Sequence, residues 1–393
     1  MRLRTSLVTL AAAVALTGLP PDSAQADDPL VLGHRGASGY LPEHTLPAYA
    51  LAAKLGADYV EPDLVATKDG RLIARHEPNI TSTTDVAAHP EFAGRRTTRN
   101  VDGVDETGWF ASDFTLREIK TLRAIQPMAD RPQQFNGKYA IPTLEQVIEV
   151  AKRASRRHGR TVGIYPETKH PTYHQRLGLP LEQRLVETLQ RSGWNRRGAP
   201  VFIQSFEQAN LIALSRMTRV RLVQLIDAND VNPDGTLDFT APYDRPFDWT
   251  ASGRQDLFSY LTTDAGLDEV ARYADGIGPW KPYVNATAAI TRNGDGSVAD
   301  ANGDGRVDDR DRRLIAPSTL VARAHARGLL VHPYTFRSEQ RRLASDFAGN
   351  PINEYLHFYG LGVDGLFSDF ADDAVAAREL FRLQQGPSED EDD

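Results

Sequence analysis

Short apolar segments alternate with amphipathic helical segments along most of this chain, and this alternation limits the possible folds more than any other feature. Residues 45–55, 143–153 and 318–327 carry apolar side chains at helical spacing, and Gly56 and Gly328 follow two of these segments as stop signals. Strands that alternate with helices predict an α/β chain with a parallel sheet, and the number of repeats favours a closed (β/α)8 barrel. The candidate strands are residues 30–34, 58–63, 71–76, 162–167, 200–205, 221–226, 274–278, 329–334 and 363–368.

Nine candidate strands are one more than an eight-stranded barrel contains. Residues 64–67 and 71–76 are separated by Lys68-Asp69-Gly70, and Asp-Gly is a strong signal for a two-residue hairpin turn. Residues 71–76 are therefore predicted to return antiparallel to the second strand. A two-residue turn at Asp69-Gly70 sets the register so that His76 lies opposite Asp63.

Two segments interrupt the repeating pattern. Residues 77–140 are rich in Thr, Asp, Arg and Gly and contain no convincing parallel strand, so we expect an insertion over the barrel mouth. Residues 292–312 form a second, smaller insertion that is rich in Asp and Gly. The rest of residues 27–385 is predicted to form one barrel domain.

Both ends of the chain differ from the barrel. Arg2 and Arg4 precede an apolar stretch over residues 6–19, and Ala24-Gln25-Ala26 has the form of a cleavage site. This pattern predicts a signal peptide over residues 1–26, cut near Ala26, and a secreted (extracellular or cell-envelope) protein. At the other end, five acidic residues close residues 386–393, which we expect to be a disordered, solvated tail.

Composition excludes some classes of partner. The chain has 393 residues and a net charge of −8, and its Lys and Arg residues are scattered, which argues against a nucleic-acid partner. After residue 26 no segment has the length and apolar purity of a membrane-spanning helix, so no stable membrane insertion is expected. Nothing in the sequence indicates the oligomeric state. There is no cysteine, so stability must come from a large core, aided by bound metal.

Polar side chains stand at the carboxyl ends of the first three predicted strands, where barrels of this kind build their active sites. The first strand ends in His34-Arg35, the second in Glu61-Pro62-Asp63, and the third in Glu167-Thr168-Lys169. Glu61, Asp63 and Glu167 should therefore converge on one rim. Such oxygen ligands suit Mg²⁺ or Ca²⁺ better than zinc, so we expect a divalent cation there.

Two histidines beside such a cation are typical of phosphoryl chemistry. One of His34 and His76 could accept a proton from the nucleophile while the other protonates the leaving alkoxide. Arg35 could hold phosphate oxygens in a fork, and Lys169 could supply a point charge. Glu43 is a further candidate on the substrate side, although the helix dipole favours a Glu in a first helical turn regardless of function.

Further motifs accompany these strand ends. In order, the chain contains Gly33-His34-Arg35-Gly36-Ala37, Pro42-Glu43-His44-Thr45, Glu61-Pro62-Asp63, Thr67-Lys68-Asp69-Gly70, His76-Glu77-Pro78, Tyr165-Pro166-Glu167-Thr168-Lys169, Gln204-Ser205-Phe206 and Gly362-Val363-Asp364-Gly365. The order and spacing of these motifs resemble the glycerophosphodiester phosphodiesterase family, in its exported bacterial form. The resemblance implies a TIM barrel that hydrolyses a small-molecule glycerophosphodiester to glycerol 3-phosphate and an alcohol. It also implies His34 and His76 as catalytic residues, metal ligation by Glu61, Asp63 and Glu167, and phosphate contacts by Arg35 and Lys169.

The chain departs from the family pattern in two places. His44 stands where many members have Asn, and Tyr334-Thr335 stands where a Trp-Thr pair is frequent. Both departures bear on the contacts to the alcohol rather than on the chemistry.

Residues 300–311 resemble a twelve-residue EF-hand calcium loop, with Asp in place of the usual closing Glu. A weaker copy, Asn293-Gly294-Asp295-Gly296, precedes it. We expect a structural Ca²⁺ here rather than a catalytic one; a flexible Asp/Gly-rich turn is the alternative. The candidate residues of this second site are Asp300, Asn302, Asp304, Arg306, Asp308 and Asp311.

Two other functions remain open. The same chemistry could act on a polymeric or lipid phosphodiester, such as teichoic acid or a lysophospholipid. A non-catalytic module that only binds phosphodiesters is the third candidate. His34 and His76 argue against it, because binding alone needs cations and no acid/base pair.

Overall fold

The computed structural model describes residues 28–386, so the predicted signal peptide over residues 1–26 and the tail from residue 387 onward lie outside the described residues. Eight parallel strands form a barrel, as the alternation predicts. Two of them are broken in the middle. In chain order the barrel strands are Leu30–Gly33, Tyr59–Val60 with Asp63–Ala66, Gly163–Ile164 with Glu167–Thr168, Phe202–Ser205, Arg221–Ile226, Gly276–Pro279, Leu330–Val331 and Gly365–Ser368.

The second and third strands break at Pro62 and Pro166, which have no N–H to donate to a ladder. Their first halves form a four-stranded sheet with the eighth and first strands. Their second halves form a seven-stranded sheet with the fourth to seventh strands and with residues 72–74. A parallel bridge between Phe336 and Ser368 closes the barrel between the seventh and eighth strands.

Helices cover the outside of the barrel. The first begins at its cap Thr45, whose side chain accepts a hydrogen bond from the Ala48 N–H at 3.3 Å. Thr143 and Gln146 form a capping box before the third helix, which satisfies two N–H groups that the helix leaves unpaired. The helices are Leu46–Lys54, Leu116–Ile119, Leu144–His158, Pro171–Arg176, Leu181–Arg191, Gln208–Ser215, Phe247–Ser252, Asp264–Val270, Leu320–His325, Pro351–Gly360 and Ala371–Gln385.

Aromatic side chains fill the barrel interior. The rings of Tyr165 and Phe202 stack with their centres 4.8 Å apart, and Phe367 meets Tyr165 edge-on at 5.0 Å. Buried His332 bonds the Tyr165 hydroxyl at 2.9 Å. This packed layer fills the barrel interior below the carboxyl ends of the strands.

The hairpin after the second strand exists, but its predicted register is wrong by one residue. Ala66 pairs with Leu72 and Leu64 with Ala74, and the Arg75 N–H donates to the Asp63 carbonyl at 2.9 Å. Asp63 therefore lies opposite Arg75, not His76. The turn contains three residues rather than two.

The side chain of Thr67 explains the longer turn. Its hydroxyl donates to Asp69 at 2.6 Å and accepts from the Arg71 N–H at 2.9 Å, while Gly70 takes a left-handed backbone with a φ of +73°. This arrangement matches a three-residue hairpin loop with a glycine in the left-handed position.

Residues 77–140 pack against the outside of that hairpin around a second apolar cluster, which includes Phe92, Trp109 and Phe114. Strands Thr97–Val101 and Val104–Gly108 form an antiparallel hairpin in this segment. Its two-residue turn, Asp102-Gly103, has positive φ at both positions, as such turns require. The tip of this hairpin, here called the tip hairpin, reaches the barrel mouth.

Three short antiparallel pairings complete the fold: Leu72–Ala74 with the second strand, Asp230–Val231 with Leu237–Asp238, and Thr287–Ala289 with Arg312–Leu314. The last of these brackets the Asp/Gly-rich segment. No helix within residues 28–386 is both long and apolar enough to cross a membrane.

Candidate active site

Glu61, Asp63 and Glu167 come together where the second and third strands break. Asp63 and Glu167 are direct partners in the parallel ladder, so their side chains leave the sheet on the same side. Each of the three residues offers an oxygen, and these atoms all lie within 4.8 Å of one another. Among the residues that the structure describes, no other group of three or more His, Asp or Glu side chains converges in this way.

The electrostatics of this triad favour a bound cation. Burial and the neighbouring carboxylates raise the pKa of Glu61 well above its usual value, and burial together with Asp63 raises that of Glu167 despite Lys169. The buried Asp63 Oδ1 has no hydrogen-bond partner. A divalent cation would relieve the repulsion and satisfy this oxygen, so the residues present fit one.

Neighbouring side chains fix the triad in place. His44 Nε2 lies 3.1 Å from Asp63 Oδ2, and its Nδ1 lies 2.8 Å from the Tyr49 hydroxyl. Gln204, on the fourth strand, donates to Glu61 Oε1 at 2.6 Å, and the Arg35 N–H donates to Glu61 Oε2 at 3.0 Å. Although burial opposes ionisation, His44, His76 and Arg35 lower the pKa of Asp63.

Two cations, the half-buried Arg35 and the buried Lys169, flank the triad. Arg35 donates to Glu43 Oε2 at 2.9 Å, and its Nε lies 3.7 Å from Asp63 Oδ2. Lys169 Nζ lies 3.2 Å from Glu167 Oε1. Arg35 and Lys169 both line the cavity, whereas Glu43 lies behind Arg35 and holds its guanidinium. Arg35 also has a left-handed backbone, with a φ of +56°.

His34 lies at the end of the first strand with its imidazole held from behind. Its Nδ1 is 2.5 Å from Asp369 Oδ1, and its Nε2 is 3.9 Å from Glu61 Oε2. Asp369 follows the eighth strand and is 1 % exposed. A carboxylate at Nδ1 keeps the proton there and turns Nε2 toward the triad.

His76 is held in the same way by a different carboxylate. Its Nδ1 lies 2.7 Å from Glu77 Oε1, while its Nε2 lies 3.4 Å from Lys169 Nζ. Burial, with Arg35 and Lys169 nearby, lowers the pKa of His76 to about 4. His76 thus lines the site despite the shifted register, immediately after Arg75, whose N–H makes the last bond to the second strand.

A cavity of about 580 Å³ opens above these groups. Both histidines, Arg35, Glu61, Glu167 and Lys169 line it. Side chains of the tip hairpin and aromatic residues from other loops line its outer part. The volume is that of a small-molecule site.

Several residues that hold this site were missed by the sequence analysis. Asp369 is separated from His34 by 335 positions, so no local pattern connects them. His44 was noted only as a departure, and Gln204 only as part of a motif. The adjacent Glu77 could have been found, because a carboxylate next to a candidate catalytic histidine is a frequent orienting partner.

The residues of the Asp/Gly loop lie together, but mostly satisfy one another. Asp300 accepts from the Gly303 and Gly305 N–H groups at 2.7 and 2.8 Å. The Arg310 guanidinium lies 2.5 Å from Asp304 and 2.6 Å from Asp308. Asp311 is buried, and its carboxylate accepts hydrogen bonds from backbone N–H groups. The Asn302 side chain accepts from the backbone N–H of Asp304, and the Asp304 side chain accepts from the backbone N–H of Arg306.

Comparison with known proteins agrees with the geometry. The profile of the glycerophosphoryl diester phosphodiesterase family matches residues 34–373. The chain belongs to this family.

Curated family members cover nearly the whole chain. A glycerophosphodiester phosphodiesterase of Arabidopsis thaliana, GDPD6, is 38 % identical over 91 % of this chain and 87 % of its own length. The enzyme of Haemophilus influenzae is 29 % identical over 95 % of this chain and 98 % of its own.

Solved structures share the fold. The structure of a Silicibacter pomeroyi protein aligns with a TM-score of 0.57 at 18 % identity, over 92 % of this chain and 96 % of its own. An Oleispira antarctica phosphodiesterase, solved with the product sn-glycerol-3-phosphate, aligns with a TM-score of 0.53 at 18 % identity, over 90 % and 97 %.

Proposed function

We propose that this family member hydrolyses glycerophosphodiesters to glycerol 3-phosphate and an alcohol, and that a divalent cation, Mg²⁺ or Ca²⁺, is required. The observation that carries this proposal is the buried triad of Glu61, Asp63 and Glu167 beside two histidines whose Nε2 atoms face the same cavity. The relatives with glycerophosphodiester phosphodiesterase activity in their names support the substrate class.

The cation, when bound, would polarise the phosphoryl oxygens and stabilise the charge that develops on them. Arg35 would hold a phosphate oxygen through its guanidinium while Glu43 keeps that group in place. Lys169 would add a second positive charge next to the triad. These groups orient the phosphate and compensate its negative charge without themselves exchanging protons.

His34 and His76 would move the protons. Each has its Nδ1 on a carboxylate and its Nε2 in the cavity, so each can hold or release a proton at Nε2. One removes a proton from the attacking hydroxyl, and the other delivers a proton to the oxygen of the departing alcohol.

We also propose that the protein is exported, on the pattern of residues 1–26. A second cation, Ca²⁺, is proposed for the loop of residues 300–311. Its support is the ligand spacing and the bonds from the Gly303 and Gly305 N–H groups to Asp300, which already curl the loop around this carboxylate. Binding requires Arg310 to leave Asp304 and Asp308.

The test is product identification. Diesters of glycerol phosphate with choline and ethanolamine are incubated with the metal-loaded protein and followed by ³¹P NMR. Glycerol 3-phosphate and free alcohol are the expected products. Formation of glycerol and a phosphorylated headgroup would contradict the assignment.

Two other outcomes identify the alternatives. Turnover of a teichoic acid or a lysophospholipid, but not of the small diesters, would identify the substrate as a polymeric or lipid phosphodiester. Binding of the small diesters without turnover of any of these substrates would indicate a binding module.

A further inference from the structure

The carboxylates behind both histidines are themselves held by residues 77–140. Glu77 holds His76 and belongs to the start of this segment; Asp369 holds His34 and belongs to the barrel. Two other side chains of the segment hold these carboxylates. Asp102 contacts His170, which in turn contacts Glu77, and Arg131 contacts Asp369 directly.

On the His76 side the contact runs through His170, which follows Lys169. His170 Nε2 lies 2.8 Å from Glu77 Oε2, and His170 Nδ1 lies 2.5 Å from Asp102 Oδ2. A continuous chain thus links Asp102, His170, Glu77 and His76. Despite burial, the two flanking carboxylates raise the pKa of His170 to about 10, so it is an imidazolium at neutral pH and donates from both nitrogens.

The tip hairpin is built to place Asp102 in this chain. Asp102 occupies the first turn position, where its φ of +45° suits Asp or Asn. Val101, beside it, packs with Phe110 and with Tyr173 on the helix that follows His170. The hairpin therefore rests on the same short helix whose cap is His170.

On the His34 side the contact is direct. Arg131 donates to Asp369 Oδ2 at 2.5 Å, and its Nε donates to Glu339 at 2.8 Å. Ser38 donates to the other oxygen of Asp369 at 2.8 Å. Arg337 Nε lies 3.2 Å from Asp369 Oδ2, but Arg131 is the more buried cation, with 5 % of its side chain exposed.

We propose that residues 77–140 act in catalysis by fixing both histidines, with Asp102 acting through His170 and Glu77 on His76, and Arg131 acting through Asp369 on His34. This inference rests on the proposed function for its kinetic part. Asp102, His170, Glu77, Arg131 and Asp369 are positioning residues. Their contribution is to keep each Nδ1 protonated and each Nε2 directed into the cavity, toward the substrate oxygens that exchange protons.

The His76 arm is tested with Asp102→Asn, which preserves the turn because Asn tolerates a left-handed backbone. Asp105→Asn is the matched control, since Asp105 lies on the same hairpin, is exposed and contacts only Asn100 among the side chains. We expect kcat to fall about 10- to 100-fold in Asp102→Asn with KM little changed, the range usual for loss of a group that orients a site residue. Equal kcat in the two variants would overturn this arm.

The His34 arm is tested with Arg131→Gln and Arg131→Lys. Arg341→Gln is the control, because Arg341 forms an exposed ion pair with the adjacent Asp130. We expect a lower kcat in Arg131→Gln, partial recovery in Arg131→Lys and no change in the control. This arm would be overturned if Arg131→Lys did not recover part of the kcat lost in Arg131→Gln. It would also be overturned if Arg131→Gln and the control Arg341→Gln had equal kcat.

Histidine NMR separates this inference from the proposed function. In ¹⁵N-labelled wild type, His34 and His76 should both carry the proton on Nδ1 when neutral. Glu77→Gln should change this for His76 alone, and Asp369→Asn for His34 alone. If wild type hydrolyses no diester but the two variants change the tautomers as expected, the proposed function fails and the positioning inference stands. If the variants leave the tautomers unchanged, the positioning inference fails whatever the activity.

Discussion

Asp63 and Glu167 are partners in one parallel ladder, each immediately after a proline that interrupts its strand. At each proline the strand leaves one sheet and joins the other, and the carboxylate residue is the first one after this change. Two carboxyl groups are therefore held side by side by the pairing of their backbones. Such an arrangement is costly without a cation, and this cost is the physical basis of the proposed metal site.

His44 should be needed for metal affinity although it touches no substrate. His44→Leu removes the partner of buried Asp63 Oδ2, and we expect a loss of about 1–3 kcal/mol in the free energy of unfolding together with weaker cation binding. His44→Asn should be milder, because Asn tolerates the φ of +54° and retains a donor. Denaturant unfolding and calorimetric titration with Mg²⁺ measure both effects; equal behaviour of the two variants would contradict the role of His44 as a donor.

Removing either histidine should lower the rate by about two to four orders of magnitude, the usual contribution of a positioned proton-transfer group. A diester with a nitrophenolate leaving group hardly needs a general acid. The variant that lacks the acid should therefore recover much of its rate on that substrate, whereas the variant that lacks the base should stay slow. His34→Ala and His76→Ala are compared on alkyl and nitrophenyl diesters. Equal losses on both substrates in both variants would refute the division into acid and base.

Calcium should stabilise the protein through the loop of residues 300–311. Asp300→Ala combined with Asp304→Ala should reduce the rise in Tm that Ca²⁺ produces, because binding to the folded state is linked to folding. Asp295→Ala, in the weaker preceding copy, is the control. Turnover below Tm should change little. The loop assignment fails if Ca²⁺ raises the Tm of the double variant as much as that of wild type.

The charge on His170 should make stability depend on pH in a defined window. Its folded pKa, raised to about 10, exceeds the usual value of 6.5, so its stabilisation is complete below about pH 6.5 and is lost as pH rises through about 10. His170→Asn should therefore lower Tm most at acidic to neutral pH, and the difference from wild type should shrink toward pH 10. His158→Asn, an exposed position, serves as the control. A difference in Tm that stays constant across this window would count against an imidazolium at His170.

The sequence was sufficient to predict the barrel and the convergence of Glu61, Asp63 and Glu167, because both follow from local patterns. Strand ends at Glu61-Pro62-Asp63 and Tyr165-Pro166-Glu167 are visible in the chain, and parallel strands bring such ends to one rim. The hairpin register was not determined in this way. The hydroxyl of Thr67 competes for the turn and lengthens it by one residue, an effect that an Asp-Gly pair alone does not reveal.

The groups that hold the histidines depend on tertiary contacts. Asp369 meets His34 through closure of the barrel between the eighth and first strands, and Asp102 meets His170 through the docking of the tip hairpin. Neither pair is near in sequence. Predicting them requires the packed positions of whole elements rather than the properties of any one segment.

The central claim, that a cation at Glu61, Asp63 and Glu167 is required for turnover, is tested most directly by reconstitution. The Asp300→Ala/Asp304→Ala protein, which removes the proposed second calcium site, is stripped with chelator and titrated with Mg²⁺ or Ca²⁺ while glycerol 3-phosphate release is measured. Activity should be absent in the stripped protein, return as a single site fills, and stay absent when Asp63→Asn is added to the same background. Full activity of the stripped, metal-free protein would contradict the account.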